Sequence, residues 1–127
     1  MIFEIFLLLI LFQLKHYIVD FVIQINDPNS MKKFDVRGWI GPLAKHAGDH
    51  STVTFVIAIF FTNIYLAMAL ALLDFVLHFS MDRVKASPHI LGRFKYPEPG
   101  YWYSLGGDQA FHHFTHYLII FIIVYWG

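Results

Sequence analysis

Four apolar stretches, each close to the roughly 20 residues that a helix needs to cross a bilayer, fill most of this 127-residue chain and leave few ways to fold it. The first runs over about residues 3–24, where Asn26-Asp27-Pro28-Asn29-Ser30 stops it with a dense turn signal. The second starts near Pro42, a residue suited to a first helical turn, and reaches about residue 61. Thr62-Asn63 is the one break before a third stretch at 65–85, which Ser87-Pro88 ends. The fourth follows Gly106-Gly107, with Asp108 as its N-cap, and continues to Trp126. Two polar connections remain, at residues 25–41 and 86–107. The expectation is one all-α domain over residues 1–127: a polytopic membrane protein with four transmembrane helices in an up-down-up-down bundle.

Composition supports a bilayer as the solvent, since 57% of the residues are hydrophobic and the mean hydropathy is +0.56. Nine basic residues balance nine acidic ones, so net charge points to no nucleic-acid partner. The absence of cysteine excludes disulfides, thiolate zinc sites and a cysteine nucleophile, so any metal must be held by nitrogen and oxygen. Glu4 near the start, with no basic residue ahead of the apolar run, predicts a retained helix and not a signal peptide.

Charge placement sets the expected orientation. Lys15, Lys32, Lys33, Arg37 and Lys45 lie in or beside the first connection, and Arg83, Lys85, Arg93 and Lys95 lie in or beside the second. Basic residues near helix ends prefer the cytoplasmic side. Both connections are therefore expected to be cytoplasmic, in an inner membrane, with both termini and the Thr62-Asn63 turn outside. Tyr96, Tyr101, Trp102 and Tyr103 in the second connection suit the interfacial belt.

Residues four apart on a helix are separated by about 40° around its axis and share a face. His16 with Asp20, His46 with His50, Asp74 with His78 and Asp82, and Asp108 with His112 and His116 all follow this spacing. They fall late in the first and third helices and early in the second and fourth, so in an alternating bundle all reach one end. Ionisable groups inside a membrane are expensive unless paired and functional. Imidazole and carboxylate together suit one or two divalent ions of zinc, manganese, iron or nickel. The expected ligands are His16, Asp20, His46, His50, His78, Asp82, Asp108 and His112. Asp49 and Asp74 are candidate catalytic bases, and Asp49, Asp74 and His116 are also candidates for ligation or for orienting a ligating imidazole. Arg83 and Lys85 are candidates for holding an anionic substrate. His113 faces away from His112 and His89 lies in a connection, so neither joins the set. The competing reading is that these groups hydrogen-bond across the bundle and set its register; Gln24 and Gln109 read as polar helix-end residues.

The motifs themselves resemble a family. His16-Tyr17-Ile18-Val19-Asp20-Phe21-Val22-Ile23-Gln24 is similar to the HxxxDFxxQ opening of short bacterial and phage membrane proteins known as the domain of unknown function 3307 family. His46 and His50 resemble its HxxxH, His78, Asp82 and Lys85 its HxxxDxxK, and Asp108-Gln109-Ala110-Phe111-His112 its DQxxH, in the same order along nearly the whole chain. The motif style is similar to that of membrane-bound metal-dependent hydrolases, which implies such a reaction by analogy.

The leading expectation is a metal-dependent hydrolase at the cytoplasmic membrane interface, in contact with membrane lipids and acting on a phosphate-bearing lipid. Two alternatives stand beside it: a non-catalytic membrane protein whose metal staples the bundle, and a metal-ion transporter. Transport needs polar groups along a route through both halves of the membrane. Residues 53–73 and 117–127 carry no ionisable side chain apart from tyrosines. Aspartates mixed among the imidazoles argue against haem, which takes an axial imidazole in an apolar pocket.

Overall fold

The computed structural model describes residues 1–127 and is all-helical, with four long helices and no strand. Helix α1 spans Ile2–Asn26, α2 Ile40–Ala58, α3 Ile64–Ala86 and α4 Pro99–Trp126. Short 3-10 turns at Ser30–Phe34 and Leu91–Arg93 interrupt the two longer connections.

Local chemistry explains most boundaries. Asp27 stops α1 by accepting the Asn29 backbone N–H at 2.9 Å. That hydrogen bond, with Lys45 beside it, holds the Asp27 carboxyl below its ordinary range. Asn63 caps α3, its side-chain oxygen accepting from the backbone N–H groups of Tyr65 at 3.1 Å and Leu66 at 3.0 Å. Helix α2 ends at Ala58, a few residues before the expected 61.

The start of α4 corrects the sequence reading. The helix begins at Pro99 and passes through Gly106-Gly107 without a break, so Asp108 is a buried mid-helix residue and not an N-cap. Proline at the first helical position is a strong start signal. Two interior glycines cost only about 1 kcal/mol each, which tertiary contacts along α4 outweigh. Tyr101, Trp102 and Tyr103 consequently belong to the helix, and Tyr101 and Trp102 pack edge-on against each other and against Tyr96. A Cβ at Gly100 would collide with the Phe94 ring, so the close approach of the connection to the new helix requires glycine there.

Cross-helix contacts show that neighbouring helices run in opposite directions. Between α2 and α3, His46 meets Asp82, Thr54 meets Asp74 and Ser51 meets the Ala71 carbonyl. Lys85 meets Asp108 and Asp82 meets His112 between α3 and α4. His16 meets Gln109 and Phe12 meets His116 between α4 and α1.

The bundle is apolar outside, and its interior is half polar. Of its 28 buried residues, half are polar or charged, while Phe3, Phe6, Ile10, Phe60, Phe114 and Phe121 are among the many large apolar side chains left exposed. Helices α1 and α3 are long and apolar enough to cross a membrane, and only 28% of the apolar window in each is buried within the bundle. Helices α2 and α4 carry Asp108, His46, His50, His112 and His116, and all five are buried.

Candidate metal centre

Six of the eight expected ligands form two adjoining donor groups. Asp20, His46, His50 and His78 bring one donor atom each within 4.8 Å of one another, and His78, Asp82 and His112 do the same. His78 belongs to both. A π-helical turn at Ile18–Ile23 carries Asp20 into the bundle, and such turns often occur at functional sites.

The atoms converge as ligands do. Asp20 Oδ1 lies 2.8 Å from His50 Nε2 and 3.0 Å from His46 Nε2. Asp82 Oδ2 lies 3.3 Å from His46 Nε2, and Asp82 Oδ1 lies 3.0 Å from His112 Nε2. The Asp20–His50 and Asp82–His112 contacts are hydrogen bonds as they stand, and the same side chains are close enough together to share an ion. The His50, His78 and His112 rings stack face to face, with centroids 3.6 and 4.0 Å apart. Metal attaches in the ring plane and leaves such a stack intact.

The test of fit lies in the buried nitrogens. His78 Nε2 has no hydrogen-bond partner, although buried polar atoms nearly always have one, whereas His50 and His112 meet Asp20 and Asp82 through Nε2 and it is their Nδ1 atoms that stand unpartnered. His78 is oriented from behind, where Asp74 Oδ1 lies 3.4 Å from its Nδ1 and leaves Nε2 free to ligate. A carboxylate behind a ligating imidazole is the usual outer-shell arrangement. The donor set can therefore hold a metal ion.

Beneath this layer lies a group that sequence reasoning missed. Lys15 is fully buried and pairs with Asp74, which also accepts from Thr54 Oγ1 at 2.6 Å. Lys15 is thus an interior group, not one of the flanking charges of a connection; a lone lysine in an apolar run was the available signal. His116, also buried, packs on Phe12 at 5.3 Å.

Above the layer is a polar cavity of about 110 Å³, with Lys33, Lys85, Gln24, Gln109 and Asp108 in its wall. Lys85 Nζ is 2.7 Å from Asp108 Oδ2, and Lys33 hydrogen-bonds to Gln24 and lies 3.7 Å from Asp82. Lys33 comes from the Ser30–Phe34 turn, which folds over the bundle end.

Several expected site residues take other places. His16 stands beside the donor groups, with Nε2 2.9 Å from Gln109 Oε1 and Nδ1 3.1 Å from Asp20 Oδ2 in poor alignment for a hydrogen bond. Asp108 is outside both groups, its Oδ1 3.0 Å from His112 Nε2. Asp49 turns outward to Lys45 at 3.1 Å and belongs to neither donor group nor the cavity wall. Arg83 stacks on Trp39 at 3.8 Å, away from the cavity wall, because a guanidinium gains from an aromatic face. Asp74 is held by Lys15, Thr54 and His78 and does not line the cavity.

No protein-family model, curated protein or solved structure matches this chain, so the resemblance noted above rests on its four motifs alone.

Proposed function

We propose that this chain is an integral membrane protein with four transmembrane helices that holds one or two divalent transition metal ions and hydrolyses a phosphate-bearing lipid at the cytoplasmic membrane interface. The observation that carries the reading is the pair of donor groups sharing His78 beneath a polar cavity. When bound, a divalent ion supplies Lewis-acid polarisation and a nucleophilic water at neutral pH.

The chain's own residues have separable tasks. Asp20, His46, His50, His78, Asp82 and His112 hold the ions. Asp74, fixed by Lys15 and Thr54, keeps the His78 ring turned with Nε2 toward them. Asp108, in the cavity wall between His112 and Lys85, is the carboxylate placed to accept a proton. A lipid substrate is supported by a cavity of about 360 Å³ on the outer surface between α1 and α4, lined by Phe6, Leu9, Ile10, Tyr117 and Ile120 and ending at His113 and His116. An apolar tail fits along this cavity, which is separate from the polar one and shares no lining residue with it.

The apolar exterior around a half-polar interior supports a bilayer setting. The cytoplasmic placement of the site rests on the basic residues of the two connections. A resemblance to the domain of unknown function 3307 family is consistent with this reading, since its four motifs contain all six residues of the donor groups. Transport is disfavoured by the packed floor of Leu8, Phe12, Ile57, Leu70, Ile119 and Ile123, which closes the opposite half of the bundle.

The test is elemental analysis of detergent-purified protein after dialysis, followed by hydrolysis of a lipid extract in mixed micelles with manganese or zinc. One or two ions per chain and metal-dependent phosphate-ester cleavage are expected. A metal ratio near zero would return the site to cross-bundle hydrogen bonding. Stoichiometric metal without turnover of any lipid would leave a structural staple. Orientation is checked with single cysteines: one replacing Asn29 should label from the cytoplasm and one replacing Asn63 from outside, and the reverse pattern would sink the topology.

A further inference from the structure

The cavity above the donor groups presents a charge problem that narrows its ligand. Asp20, Asp82 and Asp108 line it directly, and without metal they engage both of its ammonium groups, Lys33 and Lys85. Counting Asp74 below, the site holds four carboxylates against the ammonium groups of Lys15, Lys33 and Lys85. One divalent ion reverses the sign of that balance, and two leave it strongly positive. Uncompensated charge at a buried site is costly, so a loaded site favours an anion.

The walls specify which kind. Lys33 and Lys85 come from separate elements, the Ser30–Phe34 turn and the last turn of α3, and both line the same space. Each is now engaged by a carboxylate, Lys33 with Asp82 and Lys85 with Asp108. Metal drawing on Asp82 frees part of Lys33's bonding capacity. The amide of Gln109 adds a donor, at present 3.1 Å from Asp108 Oδ2. At about 110 Å³ the space is several times what a single water needs, about 10–15 Å³. A tetrahedral oxyanion has enough oxygens to meet two ammonium groups, an amide and a metal at once; a carboxylate has two.

We propose that this cavity is a metal-gated oxyanion site for a phosphate group, in which Lys33 and Lys85 are the recognition residues and phosphate and divalent cation each bind more tightly in the other's presence. It rests on the reading that the donor groups take metal. Such coupling is reciprocal, and couplings between sites are typically about 5- to 150-fold.

The experiment is titration of detergent-solubilised full-length protein with manganese, monitored calorimetrically, with and without inorganic phosphate. Manganese affinity should rise at least about fivefold with phosphate, and sulfate should reproduce less of the rise. In Lys33→Gln/Lys85→Gln the rise should vanish while metal uptake without phosphate persists. Phosphatidic acid in the micelles, replacing inorganic phosphate, reproduces the shift if the natural source is a lipid headgroup and fails to if it is a free phosphate compound; either result supports the site. If the double variant does not fold, Lys33→Gln alone serves, because Lys33 lies outside the four helices, and Lys85→Arg should retain the coupling. Equal manganese affinity with and without both phosphate sources, or full coupling in the lysine variant, overturns the proposal. No metal uptake at all would sink the metal reading and this inference together, whereas uptake without coupling sinks this inference alone.

Discussion

The two ends of the bundle are built from the same four helices on opposite rules. At one end, Leu8, Phe12, Ile57, Leu70, Ile119 and Ile123 close the interior with apolar side chains that match the bundle's own exterior. At the other, histidines, aspartates and lysines fill the same space, and several imidazole nitrogens have no partner. In a bilayer, apolar packing gains little over lipid, because lipid solvates those side chains equally well. The polar end can hold the helices together more strongly, but only while its charges are compensated. Lys15 and Asp74 mark the boundary: they join the floor to the site and orient His78 across it.

The largest break in this contrast should come from His78→Ala. Both donor groups use His78, so metal content should fall to near zero and turnover with it; retention of one full equivalent would show that the groups are independent. Next is the boundary. Asp74→Leu leaves Lys15 buried without a partner, and breaking such a pair costs about 3–5 kcal/mol, measured as thermal unfolding in micelles. Lys15→Met/Asp74→Leu should recover most of that stability, while metal affinity stays about 10- to 100-fold weaker because His78 has lost its orienting carboxylate. Recovery of affinity as well would mean that Asp74 only neutralises Lys15.

A smaller effect is expected in the floor. Ile119→Ala should cost about 2 kcal/mol, the low end for such truncations, and leave metal content unchanged. A change in metal content would show that floor and site are one cooperative unit. The smallest effect belongs to Asp49→Asn. Exposed ion pairs such as Lys45–Asp49 are worth about 0–1 kcal/mol, so stability, metal content and turnover should all stay near wild type. Loss of turnover there would revive Asp49 as a base.

Helix existence and the depth of the site were legible in the sequence for one reason. Apolar length defines four helices, and i, i+4 spacing places His16/Asp20, His46/His50, His78/Asp82 and Asp108/His112 on shared faces at alternating ends. Both are properties of one helix at a time. Which of those residues meet depends on how each helix is rotated against its neighbours, and no single-helix pattern contains that. Tertiary structure therefore decided that His78 is shared, that Asp108 stands in the cavity wall and that His16 bonds to Gln109 instead of joining a donor group. It also decided the fate of the long cations. A lysine or arginine side chain can reach inward or outward from the same backbone position, and local charge pattern is blind to the choice. Lys15 and Lys33 turn in because buried carboxylates await them, and Arg83 turns out because Trp39 offers its face. Gly106-Gly107 teaches the same lesson for the backbone: weak local helix preference was overruled by Pro99 upstream and by the contacts of Asp108 and His112 with α3.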